Sequence, residues 1–273
     1  MKTTNTLGLA LLAGLAMSIP VANAQIAGLG DSIEGVNLFG LGVAGAPDYM
    51  GSDHTKAYPA VVARYQFEGT QRYIAVVGPQ VQLNLLNDDT WRFGPQLTYR
   101  GKRDNDVDNA TVKQMVTVDG EFEGGVFLTY RLKLSNQMMH QINFTGDIAG
   151  GSNGTIGGVR MMWWQPLSQQ WLLSVGAGVQ YANSKWMNTY FGVTNAQDIL
   201  LYPTLGGQPY NASSGVKGFN IPFGLSYLLD KQWILSAGAR YEKLSGDAKD
   251  SPITAISGDS SQWVYGATAT YRF

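Results

Sequence analysis

The sequence predicts an all-β protein: a transmembrane antiparallel up-and-down β-barrel of about twelve strands, with ten as the alternative count. Three observations predict it. After Gly35 the sequence reads as strand, turn, strand to the end, with apolar and polar residues alternating with a period of two inside the strand segments. Aromatic residues stand at both ends of the apolar faces, and the chain finishes on an aromatic in the apolar phase, Phe273.

The alternation is clearest in four segments. Trp91, Phe93, Pro95, Leu97 and Tyr99 alternate with Arg92, Gly94, Gln96, Thr98 and Arg100. Trp171–Tyr181, Trp233–Glu242 and Gln262–Phe273 repeat the pattern. Successive strand side chains point to opposite faces, so each segment has one apolar face and one polar or glycine face. On a helix the same apolar positions would scatter around the cylinder. Weaker versions occur at Tyr58–Phe67, Glu121–Leu132, Met138–Ala149, Thr155–Gln165 and Lys217–Leu229. Turn residues separate them at Asn87-Asp88-Asp89, Ser135-Asn136, Gly150–Asn153, Pro166-Leu167-Ser168 and Asp230-Lys231.

A soluble sandwich also alternates. The aromatics decide between the two. In each strong segment the apolar face opens on Trp and closes on Tyr or Phe. At about 3.3 Å per residue and a tilt of roughly 40°, that separation covers about 20–25 Å of membrane normal, the height of a barrel's apolar band. The paired aromatics then form two interfacial girdles.

The N-terminus reads as an export signal. Lys2 precedes an apolar run, Leu7–Ile19, and Ala22-Asn23-Ala24 gives a cleavage site. A run of 13 residues is too short to span a bilayer as a helix. Residues 1–24 are therefore expected to be a signal peptide, 25–35 a short periplasmic segment, and 36–273 the barrel, placed in the outer membrane of a Gram-negative bacterium.

Strand parity orients the barrel. The last strand ends at the periplasm, so the long connections Gly101–Val118, Ser184–Gly215 and Ser245–Ser261 fall outside and the tight turns inside. Twelve strands require two short ones within Gln71–Leu86, turning near Gly78-Pro79. Closure requires the last strand to pair with the first, because lipid tolerates no sheet edge. Tyr271 and Phe273 are the expected signal to the barrel-assembly machinery.

Composition agrees with this class. Charged residues are 14% of the chain, against roughly 25% in soluble proteins. A net charge of −1 gives no electrostatic case for nucleic acid. Without cysteine there is neither a disulfide framework nor a thiolate metal site.

The inward face carries Arg64, Arg92, Arg100, Arg131, Arg160, Arg240 and Arg272 beside Glu121, Glu123, Asp147 and Glu242. Mixed charges either lock a lumen through ion pairs or line a narrow path. The inward glycines Gly94, Gly176, Gly178, Gly238 and Gly266 are expected to make room for side chains from across the lumen. Ser184–Gly215 holds Trp186, Tyr190, Phe191, Tyr202 and Tyr210, and reads as a constriction, a binding surface or a lid packed on its neighbours.

Catalytic chemistry finds little support. His54 adjoins Ser52 and Asp53, yet a relay needs side chains converging from separate elements. His140 is in phase with the lipid face. Asp104, Asp106 and Asp108 alternate in an outer loop without the glycine and glutamate of an EF-hand. No catalytic, cofactor or metal residues are assigned.

With the loops placed, a resemblance emerges. Ala46-Pro47-Asp48-Tyr49-Met50-Gly51-Ser52-Asp53, Tyr190-Phe191-Gly192-Val193-Thr194, Asp250-Ser251-Pro252-Ile253 and the terminal Tyr271-Arg272-Phe273 resemble the MipA/OmpV family of outer-membrane proteins. The resemblance implies a non-enzymatic role. The family's named member is a scaffold for a lytic transglycosylase and a penicillin-binding protein, and other members are porin-like or adhesive. From these come the expectations of a cell-wall scaffold embedded in outer-membrane lipid or, on the charged lumen, a small channel for polar solutes.

Overall fold

The computed structural model describes residues 36–136 and 139–273. The expected signal peptide, the segment 25–35 and Met138 lie outside the described residues. The strands are β1 (Leu38–Pro47), β2 (Thr55–Gln66), β3 (Tyr73–Val77), β4 (Gln80–Asn84), β5 (Trp91–Arg100), β6 (Glu121–Lys133), β7 (Gln141–Gly151), β8 (Gly154–Pro166), β9 (Trp171–Ala182), β10 (Gly215–Leu228), β11 (Trp233–Leu244) and β12 (Ser261–Arg272). Each pairs antiparallel with its neighbours in sequence, and β1 closes the barrel on β12 with Leu41 opposite Ala269. The two short strands required by parity are β3 and β4, and they turn at Gly78-Pro79. Gly78 takes a φ of 53°, a left-handed value that suits glycine.

The turns at the inner end, where Leu38 and Arg272 lie, have a common local cause. Asp88 accepts from the N–H groups of Thr90 and Trp91, and Asp230 from those of Gln232 and Trp233, all at 2.7 Å. Ser168 does the same for Gln170 and Trp171 at 3.1 Å. A short acceptor side chain bonded to its own backbone makes each turn, and a Trp begins the next strand. These hydrogen bonds hold the Asp88 and Asp230 carboxyls below the usual carboxylate range.

Two tight turns face the outer end, contrary to the expectation that tight turns lie inside: Gly78-Pro79, and Ser152-Asn153 between β7 and β8. Loop closure costs least when short, and only connections that contribute to a cover need length. Residues 101–120, 183–214 and 245–260 do so, and each contains helical turns that alternation did not reveal.

The outward face is the predicted one. Trp91, Phe93, Leu97, Trp171, Trp233, Leu235, Trp263 and Tyr265 are all exposed to the surroundings of the barrel. The aromatics meet across strands: Trp91 with Tyr130 at 4.9 Å, Trp171 with Tyr227 at 4.7 Å and Trp233 with Tyr271 at 5.2 Å near the inner end. Tyr241 with Trp263 at 5.0 Å and Tyr99 with Phe122 at 5.1 Å form the outer girdle. Directly opposed aromatic pairs on one sheet face stabilise register. Below the inner girdle, descending strands run on into exposed apolar residues: Phe67, Leu85, Leu134, Leu167, Leu229 and Phe273. Each of their N–H groups bonds a carbonyl of the strand beside it or of the turn leading to it, as Leu167 does Trp171 and Phe273 does Asn37.

The inward face departs from the simple alternation. Leu38, Val62 and Ile234 form one buried cluster, and Met162, Trp164 and Leu172 another. Met139, in the β6–β7 turn, packs against both. Together they form an apolar floor at the inner end. Ser174 is opposite Trp164 and only 2% exposed, so the inner face is filled there. The glycines do not simply open space for side chains from across the lumen. A Cβ on Gly94 would sit 1.8 Å from the Leu83 carbonyl oxygen, and one on Gly176 would sit 2.3 Å from Met162 Sδ. These glycines allow adjacent strands to approach closely.

Candidate functional site: a lidded lumen

The charged residues of the inward face divide by height. Near the inner end, the Arg64 guanidinium lies over the Tyr73 ring at 4.0 Å, and Arg92 donates to the carbonyls of Asp88 and Trp91. Arg131 is buried, and its N–H bonds the Thr90 carbonyl. Arg272 ends β12, and its N–H bonds the Gln232 carbonyl.

Higher in the barrel the charges meet. Arg100 and Glu123 form a pair with Glu123 fully buried, Arg100 Nε donating at 3.2 Å. Lys217 Nζ lies 2.5 Å from Glu242 Oε1, and Arg240 reaches Glu242 Oε2 at 3.9 Å. Arg160 and Asp147 are half-buried on the adjacent strands β8 and β7, and Gln96 donates to Asp147 at 3.4 Å. Glu121 turns to the rim, where it accepts from Ser152 at 2.7 Å and from the Asn153 N–H.

Lys217 was not among the inward residues read from alternation. The register between β10 and β9 shifts between Val216 and Gly218. This bulge inserts one residue and turns Lys217 into the lumen, where it is 2% exposed. A single-residue slip is invisible to a period-two count.

Above these pairs sits a lid. Helix Ser184–Phe191 is capped by Asn183, whose side chain accepts from the Trp186 N–H at 2.9 Å. The cap drops Trp186 into the mouth, where it is fully buried. Its Nε1–H donates to Glu123 Oε1 at 2.9 Å. Its ring lies 5.3 Å from the Arg100 guanidinium and 6.0 Å from the Lys217 ammonium. The indole thus contacts charges on β5, β6 and β10 at once. Around it Met187, Tyr190, Phe191, Ala212, Leu244 and Ala248 form a buried cluster. A second cluster joins Tyr49, Val107, Val112, Met115, Val193, Tyr202 and Ile253 from separate loops. Of the roles considered for Ser184–Gly215, the observed packing is that of a lid on its neighbours.

The motif residues that carry the resemblance converge in this lid. Pro47 ends β1 opposite Thr55. Tyr49 Oη donates to the Ser257 carbonyl. Gly51 has a φ of 93°, a Cβ there would lie 2.5 Å from Thr254 Oγ1, and its N–H bonds Gln262 at 3.2 Å. The Ser52 carbonyl accepts from the same Gln262 at 3.0 Å. Ser251 Oγ donates to the Phe191 carbonyl at 2.6 Å and accepts from the Ile253 N–H, starting the short helix at Pro252. Gly192 closes the Trp186 helix with its N–H on the Asn188 carbonyl at 2.9 Å. The Tyr190 carbonyl accepts from buried Arg103 at 3.1 Å.

Burial pushes the Tyr190 and Tyr210 hydroxyls up to about 12, and raises those of Tyr49 and Tyr202. Burial lowers Arg103, with Asp198 opposing it. Because the folded lid holds phenolic protons more tightly than the unfolded chain does, this contribution is full below the ordinary tyrosine value near 10. It is lost as pH rises through about 12. The tyrosines are expected to ionise in two phases by ultraviolet absorbance, lid tyrosines last and with a change in near-ultraviolet dichroism. A single phase at the ordinary value would show that the lid does not shield them.

The catalytic candidates do not assemble. His54 Nδ1 contacts Asp53 at 2.8 Å, but Ser52 Oγ accepts from the His54 N–H at 3.0 Å and meets backbone, not imidazole. His140 contacts Ser135 Oγ at 2.9 Å, in the turn before β7. The aspartates of the outer loop have separate partners: Lys102 for Asp104 at 2.5 Å, Lys56 for Asp106 at 3.5 Å, while Asp108 donates its N–H to Asp48. Lys102 holds the Asp104 carboxyl below its usual range.

Comparison with known proteins gives a consistent picture. The model of the family described as MltA-interacting protein MipA matches residues 39–273. Outer membrane protein Omp26La of Vibrio anguillarum is 25% identical over 243 residues, 85% of each chain. Outer membrane protein OmpV of Vibrio cholerae is 31% identical over 97 residues, 36% of this chain and 34% of that one. Among solved structures, the NanC porin covers 85% of this chain and 100% of its own, at 9% identity and a TM-score of 0.47. An outer membrane channel from Pseudomonas putida F1 covers 93% and 99%, also at 9% identity and 0.47. A likeness at that level carries no argument about function.

Proposed function

Because the chain belongs to the family described as MltA-interacting protein MipA, we propose that this outer-membrane barrel is a non-enzymatic interaction protein that holds cell-wall enzymes at the membrane. The family name points to a lytic transglycosylase as the first partner, and the resemblance adds a penicillin-binding protein. The observation that supports this reading over transport is the closure of the lumen. Trp186 and the lid fill the outer mouth, and Met162, Trp164, Leu172, Leu38 and Ile234 fill the inner one. Buried ion pairs between these two clusters add to a packed interior better suited to presenting a surface than to passing solute.

The second reading is a small channel, favoured by the charged middle of the lumen around Arg100, Arg240 and Glu242. One experiment separates the two. Full-length tagged protein is captured from crosslinked envelopes, and the purified barrel is examined in planar bilayers. Recovery of a lytic transglycosylase with little current is the expected result. Steady current with no cell-wall enzyme recovered would reject the scaffold in favour of the channel.

A further inference from the structure

We propose that the lipid-facing wall holds one phospholipid of the periplasmic leaflet, its acyl chain laid in a diagonal groove across β5 to β10. Register defines the groove. Trp91, Tyr130, Phe144, Met161 and Ala177 are opposed in turn along one row, from β5 to β9. The row above it runs from Gly146 on β7 to Phe219 on β10. Both rows line an open cavity of about 520 Å³. The floor is lowest where the side chains are smallest, at Gly146 and Ala177. A Cβ on Gly146 would meet nothing closer than 3.9 Å, so this glycine leaves space instead of serving close strand approach.

The dimensions suit one chain. Five strand spacings of about 4.8 Å give a length of about 24 Å. At about 30 Å³ for a water-sized group, the cavity takes roughly 17 methylenes in a line. Trp91 belongs to the inner girdle, and Phe219 lies just beyond Ile221, the partner of Tyr241 in the outer girdle. The groove therefore crosses the apolar band and lies in hydrocarbon. There is no water to exclude there, so packing is what retains a chain. A recessed floor with raised banks gives a chain dispersion contacts that a flat wall does not. The two ends assign the leaflet. At the inner end Trp91 and Tyr130 carry an indole N–H and a hydroxyl, which suit the ester oxygens at headgroup level. At the outer end the Phe219 side chain has no polar atom. The polar end of the occupant therefore lies on the periplasmic side.

The groove is on the outer wall, so the scaffold and channel readings both leave it in place. Unaltered full-length protein, extracted in mild detergent, is examined by native mass spectrometry. One phospholipid per barrel is expected to survive detergent exchange. Gly146→Leu fills the floor and should reduce retention several-fold, with insertion and heat-dependent gel migration unchanged. Gly124→Leu is the control, because Gly124 is exposed on the outer wall beyond the groove and a Cβ there meets nothing within 4 Å. That variant should keep the lipid. Unaltered protein is also reconstituted with a phospholipid carrying a photoreactive group in mid-chain. Crosslinks should concentrate on peptides of β7, β8 and β9, which decides the matter even where Gly146→Leu fails to insert. Absence of retained lipid, retention undiminished in Gly146→Leu, or crosslinks spread evenly around the barrel would each overturn the proposal. So would a retained lipopolysaccharide, or a dimer of this chain that Gly146→Leu dissociates.

Discussion

Trp186→Ala is expected to open the outer mouth of the barrel. The indole is fully buried, donates to Glu123 and lies against two cations. Truncating a buried Trp to Ala typically costs about 3–5 kcal/mol. Here the loss falls on the lid, because the strands keep their ladder of hydrogen bonds. Glu123 also loses a donor in a buried position, which adds to the penalty. The expected outcome is a barrel that still inserts and resists denaturant as the wild type does, but whose loops become sensitive to added protease. In planar bilayers the variant should show more current than the wild type, limited by the floor around Trp164. Trp186→Phe keeps the bulk and removes only the donor, so it should fall between the two. Unchanged protease resistance in Trp186→Ala would mean that the rest of the lid holds itself, and that Trp186 is a passenger.

Removing Tyr271, Arg272 and Phe273 should have the largest effect of all, on assembly. Tyr271 lies opposite Phe39 on β1 and Trp233 on β11, and the Phe273 N–H bonds the Asn37 carbonyl. The truncated chain would present unpaired backbone of β1 and β11 at the membrane interface, which lipid does not satisfy. Membrane levels should fall several-fold, and the heat-dependent gel migration of a folded barrel should disappear. Phe273→Ala separates closure from recognition. It keeps the paired strand and loses only an exposed ring. Reduced insertion of this variant would support recognition of the terminal aromatic by the assembly machinery. Normal insertion would leave closure as the whole effect.

Much of the fold was legible because a barrel wall obeys two local rules. Side chains alternate, and the ends of each apolar face are aromatic. Trp91–Arg100 was bounded correctly from these rules alone, and parity placed the β3–β4 hairpin, whose five-residue strands carry little pattern of their own. The floor was not legible. Trp164, Leu172 and Ile234 are apolar on the inward phase, and alternation assigns that phase to polar residues without knowing which end is sealed. Lys217 was missed because a bulge shifts the phase by one. The lid was only partly visible: Tyr49, Gly51, Phe191 and Ser251 were singled out by resemblance, but their meeting depends on loops folding back over the mouth, and no periodicity encodes that. Trp186 appeared as one aromatic among several, since what distinguishes it is the Glu123 beneath it.

The exposed ring of Phe67, Leu85, Leu134, Leu167, Leu229 and Phe273 limits how far the barrel can reach. These side chains belong in the headgroup layer, so the turns that carry them are drawn up to the membrane surface. The turns between β8 and β9 and between β10 and β11 occupy only residues 167–170 and 229–232. Among the described residues, nothing therefore stands out into the periplasm as a handle. If a cell-wall enzyme binds this barrel from that side, as proposed, it meets these described turns close against the lipid. A partner tethered to the same leaflet meets that condition at high local concentration, whereas one diffusing freely in the periplasm meets a nearly flush surface.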